Sequence, residues 1–145
     1  MIKKATKNDI KTLALLAIKL WPEHTLDELI FDFENLQKDS KSKCFIKYYE
    51  GAPVGFAHCS LRSDYVEGTT SSPVGYLEGI FVESRFRNLG FAKELILACE
   101  EWAKQKGCSE FASDCESSNI GSLNFHLAVG FEKANEIICF RKLIK

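Results

Sequence analysis

Two arginines, Arg85 and Arg87, stand with Asn88 and Gly90 between an apolar run, Tyr76–Val82, and a stripe of apolar residues at Phe91, Leu95, Ile96, Cys99 and Trp102. The stripe has the three- and four-residue steps of a helix. The basic turn therefore falls where the first backbone N–H groups of that helix lack intrahelical partners and the helix dipole places about half a positive charge. This is the chemistry of a phosphate site. Gly90 lets the backbone approach a bulky anion, and the guanidinium groups hold its oxygens in pairs. Upstream, Glu78 interrupts the apolar run and Gly79 follows it directly. A carboxylate buried in such a run is costly unless it is paired or serves a site, and a glycine inside a strand marks a bulge or the close approach of a ligand or another backbone.

The elements that must position these groups follow from the flanking residues. Tyr76, Leu77, Ile80, Phe81 and Val82 predict a strand buried on both faces, bounded by Pro73 and Gly75 on one side and the polar stretch Glu83–Asn88 on the other. The helix opened by Gly90 stops at Lys106-Gly107, and Glu110 to Ser113 forms a short strand that ends at Asp114. A strand–helix–strand unit implies a parallel pair, whose ligands bind at the carboxyl ends of the strands. Asp114 falls at that end, so Asp114 and Glu78 are expected to face one cleft.

At these residues the chain resembles a family. Arg87-Asn88-Leu89-Gly90-Phe91-Ala92 fits the Arg/Gln-x-x-Gly-x-Gly/Ala loop by which the GNAT superfamily of N-acetyltransferases holds the pyrophosphate of acetyl-CoA. Trp21-Pro22-x-His24, Asp64-Tyr65, Ser71-Ser72-Pro73 and Leu77–Val82 extend the likeness over nearly the whole length, to the bacterial aminoglycoside 6'-N-acetyltransferases. The resemblance implies an α+β fold: a central mixed, mostly antiparallel sheet with a splayed parallel strand pair at the acetyl-CoA cleft, flanked by about four helices. It implies cofactor contacts from Ile80, Phe81 and Val82, from Arg87, Asn88, Leu89, Gly90, Phe91, Ala92 and Lys93, and from Asn119. Trp21, His24 and Tyr65 would wall the acceptor site. Glu78, Asp114 and Glu136 would attract its ammonium groups, with Glu78 or Asp114 taking the proton from the attacking amine. Where many members carry a tyrosine that protonates the departing thiolate, this chain has His126. The activity implied is acetyl transfer to the 6'-amine of aminoglycoside antibiotics, conferring resistance, by a homodimer. Two other readings stay open: another cationic acceptor, such as a polyamine, a metabolite amine or a peptide terminus, and a sensor that binds CoA without turnover.

Composition bounds the rest. At 145 residues with 46% hydrophobic and 12% aromatic content, the chain suits one globular domain over residues 1–145, burying roughly two-thirds of its unfolded surface. Nineteen basic and twenty acidic side chains give a net charge of −1, which points away from a nucleic-acid or membrane-surface binder. No long apolar window or signal-peptide core is present, so a cytoplasmic protein is expected. Six cysteines form no Cys-x-x-Cys pair, and no metal site is expected. Cys115, beside Asp114, has no adjacent base in sequence that would make it a nucleophile.

In chain order, Met1–Ala5 suggests an edge strand. Thr6 and Asp9 cap a helix striped by Ile10, Leu13, Ala14, Ala17 and Leu20, and Thr25-x-x-Glu28 has the form of a capping box opening a second helix. Cys44–Tyr49 and Val54–Leu61 make a hairpin across Glu50-Gly51-Ala52-Pro53. Arg62–Pro73 is a polar loop, in which the aromatic face and hydroxyl of Tyr65 suit a sugar ring. A helix follows Asn119 to about Val129, and Phe131–Lys145 is expected to close the sheet as strands.

Overall fold

The computed structural model describes residues 1–145. Strand β1 (Ile2–Lys4) leads through a 3-10 turn into α1 (Ile10–Leu20); α2 (Leu26–Lys38), β2 (Ser42–Tyr49), β3 (Ala52–Arg62) and β4 (Val74–Val82) follow. Helix α3 (Phe91–Gln105), the two-residue strand β5 (Phe111–Ala112) and α4 (Ile120–Ala128) complete the elements. Thr6 and Asp9 cap each other as their spacing predicts, the Thr6 N–H donating to Asp9 Oδ2 at 2.8 Å. The second capping box is only half made. The Glu28 N–H donates to Thr25 Oγ1 at 3.1 Å, but the Glu28 carboxylate is engaged with His24 Nδ1 at 3.1 Å instead of turning back to the cap.

The strands lie in the order β1-β2-β3-β4-β5, antiparallel up to β4, with β4 and β5 parallel. Phe45, Val54, Ala57, Cys59, Leu77 and Val82 pack on one face of the sheet against Leu95, Ile96, Cys99 and Trp102 of α3. Cys44, Ile46 and Phe56 pack on the other against Leu13, Ala14 and Ala17 of α1 and Leu29 and Phe33 of α2. The alternation of Cys44 and Ile46 with Phe45 is the period-two pattern of a strand with both faces covered.

One irregularity decides where the polar groups go. His58 of β3 pairs with Gly79 of β4, whereas the next residue, Cys59, pairs with Leu77, so Glu78 is an extra residue in β4. This is a β-bulge, which re-aims side chains by breaking alternation. Leu77 and Ile80, three residues apart, consequently both pack on the α3 side, and Glu78 and Gly79 share the opposite face. Gly79 is required there because a Cβ would stand 2.7 and 2.8 Å from Cη2 and Cζ2 of Trp21.

The expectation that Phe131–Lys145 closes the sheet fails. These residues form no strand or helix, and Ile137, Ile138, Phe140, Leu143 and Ile144 are all exposed. Only the start of the segment is anchored: Phe131 packs against Phe111 and His126, Ala134 lies against Gly68 and Asn135 donates to Glu67. β5, the strand next to the tail in sequence, is two residues long and offers almost no edge, and the tail does not run along the open edge of β4 beyond Tyr76. Trp21 and Gly79 supply the stability test of the fold. Gly79→Ala should cost about 1–3 kcal/mol by overpacking, and combining it with Trp21→Ala should recover part of that loss in a denaturant-unfolding double-mutant cycle.

Candidate functional site

Beyond the bulge, the sheet face on the α1–α2 side turns from apolar to polar. Alternation along β3 brings Ser60 and Arg62 to that face, beside Glu78 of β4. Glu78 Oε1 accepts from Ser60 Oγ at 2.6 Å and from Arg62 Nε at 3.0 Å, while Oε2 accepts from an Arg62 Nη at 2.9 Å. The same guanidinium stacks 3.5 Å above the ring of Tyr76, whose hydroxyl donates to Asp114 Oδ2. Burial, followed by this bond to Asp114, pushes the Tyr76 phenol well above its ordinary value, so it stays a donor at neutral pH. Glu78 and Asp114 therefore share one connected band, as their positions predict, but the band carries a cation of its own. Arg62 neutralises one of its two carboxylates, leaving Asp114, the more exposed acid, with one oxygen unbonded.

The neighbouring feature is a wedge. Strands β4 and β5 pair only at Gly75–Phe111 and Tyr76–Ala112, so β4 runs from Leu77 to Val82 with no strand on its outer side. An extended molecule with amide groups can take that place, with peptide-like hydrogen bonds. The wedge leads to the turn before α3, in which Asn88 and Gly90 both adopt left-handed backbone, at φ 64° and 82°. No side chain caps α3, so its first amides are left for an anion. Arg87 Nε donates to the Val82 carbonyl at 2.9 Å, which ties the turn to β4 and leaves both Nη groups for phosphate. Phe91 begins the helix, Ala92 is half-buried, and Leu89 and Lys93 are exposed. Lys47, which sequence pattern did not single out, steadies this turn: it is buried, bonded to Glu94 at 2.9 Å and 4.4 Å from the centre of the Phe91 ring.

The other expected residues are distributed as follows. Trp21 lies over Gly79 and meets Phe56 edge-on; with His24, Asp32, Asn35 and His58 it lines a groove of ≈ 450 Å³ beside α2. Tyr65 is exposed on the loop before β4, its hydroxyl accepting from the Gly68 N–H at 3.4 Å. Asn119 caps α4, Oδ1 accepting from the Ser122 N–H at 3.1 Å. Glu136 is not brought to the band. It lies on the exposed tail, bonded to Lys133 at 2.6 Å, and that contact holds its carboxyl below the usual range. Ser60, Arg62 and Tyr76 were missed because each follows an unremarkable strand alternation; the one signal was that His58, Ser60 and Arg62 recur at every second position. His126 is half-buried on α4, Nε2 lying 2.8 Å from Ser113 Oγ and Nδ1 2.7 Å from the Ser122 carbonyl. No cluster of three or more His, Cys, Asp or Glu side chains is arranged to hold a metal ion, and no helix is long and apolar enough to cross a membrane.

Comparison with known proteins follows the same lines. Residues 9–131 match the Acetyltransferase (GNAT) family. The chain is similar to aminoglycoside N(6')-acetyltransferase type 1 of Salmonella enteritidis, 41% identical over 141 residues that make up 97% of each chain. It is also similar to the protein of the same name from Salmonella typhimurium, 44% identical over 124 residues, 86% of each. Among solved structures, AAC(6')-Iy in complex with the bisubstrate analog CoA-S-monomethyl-acetylneamine superposes with a TM-score of 0.94 at 40% identity, covering 99% of this chain and 98% of that one.

His58 gives the fold a pH dependence. Its Nε2 is buried without a hydrogen-bond partner, and burial lowers its pKa below 6.5 against the opposing pull of Glu78 and Asp39. The folded state therefore binds its proton less readily than the unfolded chain, so stability is full above about pH 6.5 and falls as the pH drops below it. The urea midpoint should decline between pH 7 and pH 5, and His58→Gln should flatten that decline.

Proposed function

The chain belongs to the GNAT acetyltransferase family, and from that premise we propose that it transfers an acetyl group from acetyl-CoA to the 6'-amine of aminoglycosides. The observation that carries this reading is the wedge: a strand with an unpartnered edge from Leu77 to Val82 runs into an uncapped helix N-terminus. Pantetheine amides bond along Ile80–Val82, and the pyrophosphate rests on the amides following Gly90 and on the Arg87 guanidinium. Asn119 and the loop residues Asn88, Leu89, Phe91, Ala92 and Lys93 complete the cofactor contacts. The acceptor enters over the polar band. Its ammonium groups are drawn to Asp114 and Glu78, against a wall formed by Trp21, His24 and Tyr65.

An ammonium has no lone pair with which to attack, so one amine first loses its proton to Glu78 or Asp114, directly or through water. The amine then adds to the thioester carbonyl, whose developing charge is met by backbone N–H groups near Val82. Arg62 gives this band its selectivity. A single weak cation gains little by competing with a guanidinium held by two bonds, whereas a polyamino sugar presents several charges to the band at once.

The chain works in the cytoplasm as a homodimer. Support for the dimer lies in the tail: five large apolar side chains between Ile137 and Ile144 are exposed, more than one short segment of a monomer keeps in water. A second copy of the chain is the occupant that covers them. Full-length protein should run as a dimer in light scattering, and Ile138→Asp combined with Phe140→Asp should shift it to monomer.

The activity is tested by free-thiol release from acetyl-CoA with kanamycin, tobramycin, spermidine and a short peptide as parallel acceptors, and by mass spectrometry of the products. Saturable release with the aminoglycosides and a modified 6'-amine is the expected result; release with spermidine or peptide alone would overturn the acceptor. Glu78→Gln should lower kcat/KM by about a hundredfold if Glu78 takes the proton, and unchanged kinetics would move that role to Asp114.

A further inference from the structure

The hydrogen bonds of His126 decide its tautomer. The Ser122 carbonyl only accepts, so the 2.7 Å contact to Nδ1 requires the hydrogen on Nδ1. Nε2 of the neutral ring is then an acceptor, and its partner at 2.8 Å, Ser113 Oγ, is the donor. The ring is fixed by its packing, 5.1 Å from the ring centre of Phe131 and 5.5 Å from that of Phe125. A hydroxyl hydrogen-bonded to an oriented imidazole is the pattern of an activated serine. Its place is equally specific. Pairing of β4 with β5 ends at Tyr76–Ala112, and Ser113 is the next residue along, at the mouth of the wedge. Asp114, one residue further, turns to the opposite, acceptor-facing side, where it meets Tyr76.

We infer that Ser113 is a catalytic residue of the acetyl transfer, a hydroxyl that carries a proton from the attacking nitrogen to the departing sulfur, with His126 as its partner behind it. This rests on the proposed placing of the thioester in the wedge. Nitrogen and sulfur are bonded to the same carbon in the tetrahedral intermediate, so one hydroxyl at the wedge mouth reaches both. As the intermediate collapses, the nitrogen gives its surplus proton to Ser113 Oγ, and the original Ser113 proton passes to His126 Nε2. The C–S bond then breaks with its electron pair going to sulfur. Sulfur takes the proton from Ser113 Oγ, and the imidazolium returns a proton to that oxygen. The products are the amide and the free thiol, with Ser113 and neutral His126 restored. Ser113 requires no acyl-enzyme in this sequence, and His126 acts only through it. The pair supplies the thiolate with a proton without a tyrosine on α4.

The test is the single-turnover rate of acetyl transfer from acetyl-CoA to tobramycin, measured by rapid quench, beside the dissociation constant of CoA. Ser113→Ala and His126→Gln should each slow transfer by about a hundredfold with CoA affinity unchanged. The double variant should be no slower than either single one, because the two groups act as a unit. Ser113→Thr, which keeps the hydroxyl, should retain most of the rate and guards against a His126 variant that fails to fold. Transfer by Ser113→Ala within twofold of the parent, losses that multiply in the double variant, or a loss confined to CoA affinity would each overturn the inference. If tobramycin is not acetylated but another amine is, the acceptor assignment fails while the prediction for Ser113 is read on that amine. If tobramycin is acetylated equally by all variants, the serine assignment fails alone.

Discussion

Backbone amides need partners, and beyond Tyr76 one side of β4 has no strand of the chain itself to supply them. The whole site depends on that withheld pairing. If β5 were as long as β3, it would bond along Leu77–Val82 and close the wedge; instead the chain leaves the sheet after Ala112. The strand is still held firmly, because its other edge pairs with β3 along its length and its Leu77, Ile80 and Val82 side chains pack against α3. A rigid strand with a free edge costs little to keep in water and offers directional hydrogen bonds to an extended ligand. The uncapped start of α3 continues the same device, since its unfilled amides lie at the end of the same strand.

The bulge at Glu78 is the second constraint, and it separates two chemistries on two faces. On the α3–α4 side, Leu77 and Ile80 give apolar packing, and the Ser113–His126 pair stands at the wedge mouth. On the α1–α2 side, Glu78, Arg62, Tyr76 and Asp114 form one chain of charge-assisted contacts. Burying Glu78 without Arg62 would leave a carboxylate uncompensated, which is far costlier than the pair. The guanidinium therefore answers a folding problem and at the same time offsets one of the two carboxylate charges of the band. Trp21 closes the arrangement from above: it lies on the space left by Gly79, so the bulge, the glycine and the indole form one steric unit.

Much of this was legible in the residues alone. The turn Arg87–Gly90, the helix stripe from Phe91, the strand around Glu78, the bulge signalled by Gly79 and the existence of the parallel pair, though it stops at Ala112 and not at Ser113, are all local patterns, and local backbone preference and hydrophobic period are properties a sequence carries directly. The helix caps at Thr6 and Thr25 are of the same kind. The residues that escaped, Ser60, Arg62, Tyr76 and Ser113, are common polar or aromatic types, the first three in ordinary strand positions and Ser113 just past the end of β5. What makes each of them matter is a partner 13 to 38 residues away, on another element.

The tail shows the limit most clearly. Its apolar run from Ile137 to Phe140 predicts strand, and strand propensity is there, but a strand exists only when another edge accepts its hydrogen bonds, and in one copy of this chain the tail lies along none. The sequence by itself determined the local elements and the turn that opens α3, because those depend on neighbours along the chain. Tertiary structure alone decided that Glu78 is shared with Arg62, that Glu136 stays on the tail with Lys133, and that His126 accepts from Ser113 instead of donating. Those outcomes depend on register, a single inserted residue and the side on which each chain segment happens to pass, none of which leaves a periodic trace in the order of amino acids.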